Sequence, residues 1–327
     1  MTGGKGENAP EKNVGPKRRS KLGVAAAIVS AVLGGAFLLW LYLGTVLLVV
    51  REERVNLPHL DPADDGLRVA VLSDPHFGPG DAGRAAKIAD MINRMDPDII
   101  VLLGDFVNGV PDRRQSLSME DLAAFVRRLR AKRGIFAVTG NHELWYGRDT
   151  VEAALLEGGA TVLGNRSVKI ATPSGRPLQI VGLPDYTTQD FPDKFPAVAP
   201  GIPTLILMHD PNSAGFVPRE LEGFCIAGHT HGGQLRLYPG GGDRSSLRLL
   251  AQRVKDKLGL LPDALRPYVL FDRWFTDFHG RRIFITAGAG SARLGVRVFC
   301  PPEVVLLRFY SADPDAARQR YTIPEEL

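Results

Sequence analysis

The sequence predicts an α/β fold, in which two stacked sheets are flanked by helices, behind an apolar N-terminal helix. Three features of the 327-residue chain support this fold class. Residues 22–50 carry no charge, residues 67–138 alternate between strand-like and helical segments, and residues 160–310 hold mostly short strand-like runs. Alternating strands and helices form parallel sheets, whereas a strand-rich second half favours a second sheet packed on the first.

The apolar run of residues 22–50 is long enough to cross a membrane. At roughly 1.5 Å per helical residue it exceeds the roughly 30 Å hydrocarbon core of a bilayer. A cleaved signal peptide is a weaker interpretation, because its apolar region is typically about 7 to 15 residues long.

Charges on either side of this run predict its orientation. Basic residues cluster before it at residues 17–21, whereas Arg51 and Arg54 lie beside two glutamates after it. The positive-inside rule therefore predicts a cytoplasmic N-terminus and an extracytoplasmic domain at the cell membrane. The pair Arg18-Arg19 also resembles a twin-arginine export signal, although Lys21 stands where that signal usually has an apolar residue.

These features divide the chain into four predicted parts. Residues 1–21 form a disordered basic tail, 22–50 a transmembrane helix, 51–66 a linker and 67–327 the folded domain. Within the domain, residues 235–280 form a predicted insertion in which leucines are interleaved with basic residues. Two interpretations of the insertion stay open: an amphipathic helix packed on the core, or a lid that admits an acyl chain.

Charge and cysteine content argue against two classes of protein. Residues 1–54 hold eight basic and four acidic residues, so the remaining chain, with 32 of each, has no formal net charge. The basic character thus belongs to the N-terminal segment, and no nucleic-acid partner is expected. Cys225 and Cys300 cannot form a disulfide framework, and Cys225 lies in an apolar run that predicts a buried thiol. One bridge between the two cysteines stays an alternative.

The alternating segments predict the individual elements. Strands are expected at 67–72, 98–103 and 134–138, helices at 82–95, 119–131 and 150–157, and later strands around Val162, Lys169, Ile180, Leu205, Phe224, Ile283 and Val304. Parallel strands joined by right-handed crossovers bind ligands at their carboxyl ends. Functional residues are therefore expected directly after the strands.

Candidate metal ligands follow five of these strands. The set consists of Asp74, His76, Asp105, Asn141, His209, His229 and His231. Two pairs in it are separated by one residue, a spacing that turns both side chains to the same side of an extended backbone. Five of the seven histidines follow strand-like runs, a pattern that chance explains poorly, whereas His59 and His279 have no such context.

The types and number of these ligands predict two metal ions. Oxygen and imidazole ligands without thiolates suit Mn, Zn or Fe, and Mg is less favoured as the number of histidines rises. One ion needs three or four protein ligands, so seven candidates imply a pair of ions that share a carboxylate. Asp105, which follows the central strand, is the predicted bridge.

As an ordered set, these residues resemble the five-block signature of the calcineurin-like metallophosphoesterases. The blocks are Asp74-x-His76, Gly104-Asp105, Gly140-Asn141-His142-Glu143, His209 and Gly228-His229-Thr230-His231. The resemblance covers roughly residues 66–310. The apolar N-terminal run, the Gly-Gly-Gln after the last histidine and the stretch 288–304 are similar to the bacterial YkuE/YaeI-like branch.

The resemblance implies a four-layer α/β/β/α sandwich with a binuclear metal centre that hydrolyses phosphoesters. It implies that one ion is held by Asp74, His76, Asp105 and His231, and the other by Asp105, Asn141, His209 and His229. His142 is not a ligand in this scheme; it would face the ester, where it would protonate the leaving oxygen or stabilise the transition state. Glu143 is predicted to orient a neighbouring histidine or loop amide.

The expected reaction is metal-dependent hydrolysis of a phosphodiester or pyrophosphate in a membrane-associated substrate. A lipid, an acylated nucleotide-sugar or a cell-wall phosphoester would meet this description, since the domain follows a predicted anchor. A protein phosphatase or phosphomonoesterase is the alternative, but block 104–109 lacks the aspartate and arginine of the protein phosphatases. A non-catalytic metal-binding scaffold is disfavoured because no ligand is missing. The oligomeric state is not predicted.

Overall fold

The computed structural model describes residues 21–108, 113–186, 194–238, 246–247, 250–251, 254, 274–278, 281–291 and 295–312. The chain divides into two compact units, residues 1–42 and 43–327.

The first described element is the long apolar helix α1, Lys21–Val46. Its segment Gly23–Val46 is long and apolar enough to cross a membrane, and none of that segment is buried within the protein. A helix suits such a segment because all of its backbone groups bond within the helix. The apolar run was predicted to continue to Val50, but the helix ends at Val46 because Val49 pairs with Glu303 in a sheet.

Within the described residues, the first sheet contains six strands. They are β1 (Val49–Asn56), β2 (Leu67–Leu72), β3 (Ile99–Leu102), β4 (Ile135–Ala137), β5 (Thr161–Val162) and β12 (Glu303–Tyr310). Their order in the sheet is β1-β12-β2-β3-β4-β5. Strands β2 to β5 run parallel, whereas β12 is antiparallel to β2 and parallel to β1. The loops after β2, β3 and β4 therefore leave the sheet at one edge.

Helices connect the parallel strands of this sheet. They are α2 (Ala82–Arg94), α3 (Met119–Arg128), α4 (Asn141–Tyr146) and α5 (Arg148–Glu157). In α2, Ala85, Ile88, Ala89 and Ile92 are buried, a spacing that places them on one face of the helix against the sheet. The side chain of Ser118 caps α3 by accepting a hydrogen bond from the backbone N–H of Asp121 at 3.1 Å.

The second sheet also contains six strands in the part of the chain that the structure describes. They are β6 (Arg166–Ala171), β7 (Pro177–Gly182), β8 (Thr204–Leu207), β9 (Phe224–Ala227), β10 (Trp274–Phe278) and β11 (Arg281–Ile285), in the order β10-β11-β9-β8-β7-β6. Strands β7, β8, β9 and β11 run parallel, and the two edge strands are antiparallel to their neighbours.

Alternate residues of the central strands feed two different cores. Val69 and Val71 of β2 belong to the core between the two sheets, whereas Ala70 and Leu72 belong to the core under the helices. A third core covers the outer face of the second sheet and includes Ile206 of β8 and Ala214 of the short 3-10 helix 211–216. Two stacked mixed sheets with helices outside confirm the predicted fold class.

The predicted linker of residues 51–66 is wrong, because most of it belongs to the folded domain. Strand β1 pairs with β12 over its full length, and the backbone N–H of Leu57 donates to the carbonyl of Tyr310 at 2.9 Å. Val55 and Leu57 are fully buried. The sequence suggested a linker because this segment lies between the apolar run and the first predicted strand. Its charged residues are compatible with β1, because a sheet-edge strand tolerates charges on its solvent face.

The predicted insertion of residues 235–280 lies mostly outside the described residues. Its last part, Trp274–Phe278, is strand β10 of the second sheet, so that segment is part of the fold. Neither the helix nor the lid interpretation is tested by the described residues. Cys225 and Cys300 are both buried, and no disulfide links them.

Candidate metal centre

Five strand ends meet at the carboxyl edges of the two sheets. The loops after β2 and β3 are joined by hydrogen bonds from the N–H of Asp74 to the carbonyl of Gly104 and from the N–H of His76 to the carbonyl of Asp105, both 3.0 Å. The loops after β8 and β9 are joined by the N–H of Gly228, which donates to the carbonyl of His209 at 2.9 Å. Because both sheets end at the same place, all seven predicted ligands lie in one cluster.

The backbone of the cluster is strained at most of these positions. Asp74, His76, Asp105, His229 and His231 have φ angles between 43° and 68°, in the left-handed region that non-glycine residues rarely occupy. Such conformations cost about 1 to 3 kcal/mol each and concentrate at functional sites. The surrounding hydrogen bonds stabilise these backbone conformations, and the conformations orient the side chains toward a common point.

The first group of possible ligands consists of Asp74, His76 and His231. The Nε2 atoms of the two histidines are 3.0 Å apart, and Nε2 of His231 is 3.5 Å from Oδ1 of Asp74. Burial lowers the pKa of His76 to about 4 and that of His231 to about 3. Both rings are therefore neutral at neutral pH, the form in which imidazole binds a metal.

A second group consists of Asp105, His209 and His229. A further group, His76, Asp105 and His142, shares one residue with each of these two. Nδ1 of His209 donates to the carbonyl of Leu103 at 2.7 Å, which leaves Nε2 facing the site. That Nε2 atom is 3.1 Å from Nδ1 of His229 and 3.3 Å from Oδ2 of Asp105. Although burial favours the neutral ring, the Asp105 carboxylate raises the pKa of His209 well above its usual value.

Asp105 lies between the two groups. Its Oδ2 atom is 3.6 Å from Nε2 of His76 and 3.3 Å from Nε2 of His209. Its Oδ1 atom accepts a hydrogen bond from the backbone N–H of His142 at 3.0 Å. Burial alone would raise the pKa of Asp105, but the histidines around it hold that pKa well below its usual range. This position suits a carboxylate shared by two cations.

Two buried oxygen atoms in the cluster favour a metal over a purely protein-bonded core. Oδ1 of Asp74 and Oδ1 of Asn141 are buried and have no hydrogen-bond partner within the described part of the chain. Buried polar atoms without partners are costly and rare. Divalent cations would satisfy both oxygens, so the donor set fits a metal centre with these residues as ligands.

Glu143 supports the centre from behind. Its fully buried carboxylate accepts backbone hydrogen bonds from Gly140, Asp105 and Phe106, each at 2.8 Å. Burial and the nearby Asp105 raise the pKa of Glu143 to about 8, while the amides oppose that rise. Glu143 thereby ties the loop after β3 to the start of α4, a short helix that the sequence interpretation missed.

His142 lies at the mouth of the cluster. Its ring centroid is 4.5 Å from that of His76 and 4.9 Å from that of Trp145, and its side chain is 19% exposed. Nε2 of His142 is 3.8 Å from Oδ2 of Asp105. The ring is thus near the ligands and accessible to a bound molecule.

Gly228 and Gly140 allow the loops to approach so closely. A Cβ atom on Gly228 would overlap Oγ of Ser73 and lie 2.6 Å from Oδ2 of Asp74. A Cβ atom on Gly140 would overlap Oδ1 of Asp105 and the ring of His209. Only glycine fits at these two positions.

Arg297 is a further residue of the centre that sequence reasoning did not single out. Its guanidinium is fully buried and donates to backbone carbonyls, including those of Ala287 at 2.7 Å, Gly290 at 2.9 Å and His231 at 3.3 Å. It therefore joins the loop after β11 to the loop that carries His231. An arginine within a run of glycines and prolines gives no sequence signal of burial.

The stacked sheets, the central Asp105 carboxylate and the overlapping ligand groups together define the class of the protein, a metal-dependent hydrolase. His59 is remote from this centre and pairs with Glu222 at 2.6 Å, and His279 lies outside the described residues.

Comparisons with known proteins identify the family. Residues 67–233 match the calcineurin-like phosphoesterase family. The phosphodiesterase YaeI of Escherichia coli is 34% identical over 215 residues, which are 64% of this chain and 70% of YaeI. The metallophosphoesterase YkuE of Bacillus subtilis is 23% identical over 304 residues, which are 91% of this chain and 98% of YkuE. The chain belongs to the calcineurin-like phosphoesterase family and is a metal-dependent phosphoesterase.

A third relative bears on the membrane. A bovine transmembrane protein with a metallophosphoesterase domain is 29% identical over 206 residues, which are 57% of this chain and 45% of that protein. The chain therefore spans less than half the length of this relative. Together with α1, this similarity indicates a membrane protein. The resemblance predicted from the sequence is confirmed, whereas the assignment of each ligand to an ion stays a prediction.

Proposed function

We propose that the chain is a membrane-anchored phosphodiesterase or pyrophosphatase that uses two divalent cations. The observation that carries this proposal is the position of Asp105, whose Oδ2 lies within 3.6 Å of a histidine from each ligand group. Asp74, His76, Asp105 and His231 would hold one cation, and Asp105, Asn141, His209 and His229 the other. Mn, Zn and Fe suit this mixture of oxygen and imidazole ligands best.

The residues of the chain would prepare the site for the cations and for the phosphoester. When bound, a pair of divalent cations generates a nucleophile from water at neutral pH and neutralises charge on the phosphoryl oxygens. His76 and His231 keep neutral rings for this purpose, and Leu103 fixes the tautomer of His209. The hydrogen bonds to Glu143 fix the loops that carry Asp105 and Asn141.

His142 would supply the proton that the leaving oxygen needs. Its backbone N–H is fixed on Oδ1 of Asp105, while its ring lies at the exposed mouth of the site. In-line displacement places the leaving oxygen opposite the nucleophile, where an acid can protonate it. Nε2 of His142 would hold the proton that this acid donates. This role matters most for esters whose leaving alcohol is a poor leaving group.

Two observations support a diester substrate rather than a phosphoprotein. A relative with 34% identity bears the name phosphodiesterase. The segment from Gly104 to Gly109 also lacks the second aspartate and the arginine with which related protein phosphatases grip phosphate. These observations therefore favour a phosphodiester substrate over a phosphomonoester or a phosphoprotein.

The membrane segment narrows the substrate further. Basic residues before α1 favour a cytoplasmic N-terminus, which would place the domain on the outer surface of the membrane. Lipid or cell-wall phosphodiesters are available there, whereas nucleotide-linked acylated sugars are usually cytoplasmic. The preferred substrate is thus a phosphodiester of a lipid or of a cell-wall polymer.

A panel assay after chelation tests this proposal. The purified chain would be supplied with Mn, Zn or Mg and offered bis-p-nitrophenyl phosphate, p-nitrophenyl phosphate, a phospholipid and a nucleotide-sugar. We expect the diesters to be preferred and the bound metal to approach two ions per chain. Preference for the monoester by more than about tenfold in kcat/KM, or about 1.4 kcal/mol, would contradict the diester assignment.

A further inference from the structure

Exposed apolar side chains occur on segments that neighbour the loops of the metal centre. Six of them, each between 36% and 56% exposed, form what we call the apolar rim: Leu47, Leu144, Trp145, Leu237, Val296 and Phe299. Large apolar side chains that cluster on a surface mark places where another molecule or a membrane binds.

Leu144 and Trp145 occupy one side of the centre. They lie on α4, directly after His142 and Glu143, and the ring of Trp145 is 4.9 Å from that of His142. Asn141, Glu143 and Tyr146 are the buried residues of this helix. Leu144 and Trp145 are therefore on its outward face, next to the mouth of the site.

The other side of the rim is built around the buried Arg297. The carbonyl of Val296 accepts a hydrogen bond from Nε2 of Gln234 at 3.0 Å, which ties this segment to the loop after His231. Phe299 is a non-glycine residue with a φ angle of 52°, a strained conformation that nevertheless leaves its ring exposed. This part of the rim therefore lies next to the loop that carries His231.

The rim is continuous with the end of the apolar helix. The last residues of α1, from Leu43 onward, belong to the same compact unit as the domain. Oγ1 of Thr45 accepts a hydrogen bond from the backbone N–H of Arg297 at 3.0 Å, and the N–H of Val49 donates to the carbonyl of Pro302 at 2.9 Å. Leu47, between these two bonds, is 56% exposed.

Sheet topology explains why the end of α1 lies beside the segment that holds Arg297. Strand β12 is antiparallel to β2, with Val305 opposite Val71, so β12 begins at the edge where β2 ends in Asp74. Strand β1 is parallel to β12 and begins with Val49 opposite Glu303. The end of α1, from Leu43 onward, therefore lies at the same edge of the sheet as the metal centre.

We propose that the apolar rim docks on the bilayer that holds α1, so that the metal centre opens onto lipid head groups. This inference rests on the proposed membrane anchoring and names the substrate class of that site: a phosphodiester in a head group that stays in the membrane. A bilayer is favoured over a protein partner because the rim continues into the end of a membrane-compatible helix.

Leu156 provides a matched control position. It is 57% exposed, comparable to the rim residues. It lies near the end of α5, which leads into β5, and β5 runs parallel to β4. Leu156 is therefore at the opposite edge of the sheet from the metal centre.

Fluorescence quenching of the full chain in phosphatidylcholine vesicles tests the docking. Leu144→Cys, Phe299→Cys and the control Leu156→Cys would each be labelled with bimane, with the unsubstituted chain as a blank for Cys225 and Cys300. Lipids that carry nitroxide on their acyl chains should quench the label at positions 144 and 299 but not at 156. Equal quenching at all three positions, or none at 144 and 299, would overturn the proposal.

Kinetics separate docking from the chemistry of the site. For Phe299→Ser, we expect kcat/KM on a vesicle-borne phosphodiester to fall at least about tenfold, with little change on soluble bis-p-nitrophenyl phosphate. Leu156→Ser should leave both rates near wild type. Equal losses on both substrates would refute a docking role for Phe299. If the wild-type chain failed to hydrolyse any diester, the proposed function would fail, while the quenching result would still decide the docking.

Discussion

Replacing His142 with alanine isolates the chemistry of the centre from metal binding. The variant keeps the backbone N–H at position 142, which donates to Oδ1 of Asp105 at 3.0 Å. It removes a ring whose Nε2 is 3.8 Å from Oδ2 of Asp105, beyond hydrogen-bonding distance. We therefore expect both cations to remain bound while the proton donor is lost.

The size of the defect follows from the role of the ring. General acid catalysis contributes about 10² to 10⁴ in rate, which corresponds to about 2.7 to 5.4 kcal/mol of transition-state stabilisation. The loss should approach this range for an alkyl leaving group, because an alkoxide needs a proton. It should be much smaller for p-nitrophenolate, which leaves without one.

The assay compares two diesters that differ only in the leaving group, together with metal analysis of the purified variant. His59→Ala is the matched control, because His59 pairs with Glu222 away from the centre. A cation lost from the His142 variant, or equal rate losses on both leaving groups, would refute the acid role and make His142 a ligand or a structural residue.

Three further changes probe the supports of the centre. Asp105→Asn should reduce activity more than any other single-ligand change and lower the metal content; unchanged metal content would contradict its bridging position. Glu143→Gln places an amide N–H donor against backbone N–H donors, so the free energy of unfolding should fall by about 1 to 3 kcal/mol. An unchanged Tm would contradict the hydrogen bonds that the Glu143 carboxylate accepts from the backbone. In chelated protein, the pKa of His76 is about 4 in the folded state but near 6.5 in the unfolded state. Between these pH values the unfolded state binds more protons, so the contribution of His76 to the free energy of unfolding falls as the pH falls from 6.5 to 4. In denaturant titrations over that pH range, the free energy of unfolding of the wild type should therefore fall by up to about 3 kcal/mol more than that of His76→Gln. Equal decreases in the two proteins would contradict the lowered pKa of His76.

Much of the centre could be predicted because its signals are local. A strand-like run followed by Asp74 and His76, or by His229 and His231, shows in a few residues that ligands stand at a strand end. Parallel strands bring such ends to one edge, so the convergence of the four candidates that follow the first three strands is explained by the alternation of strands and helices. The family follows from the same five blocks.

Other features depended on contacts between distant parts of the chain. Strand β1 looked like a linker because its partner, β12, lies about 250 residues later. Burial of Glu143 and Arg297 depends on which loops surround them, and no local pattern encodes that. The short helix α4 starts within the Gly140-Asn141-His142-Glu143 block, where the loop interpretation was equally natural.

The sequence by itself determined the apolar helix, the alternating elements, the ligand set and the family, because each is written in spacing and residue type along a short stretch. Only the tertiary structure decided that Asp105 lies between two ligand groups and that the strand after α1 joins the sheet beside β12. Those arrangements arise from pairing between strands that are far apart in the chain, and the energy of such pairing depends on neighbours that the local sequence does not contain.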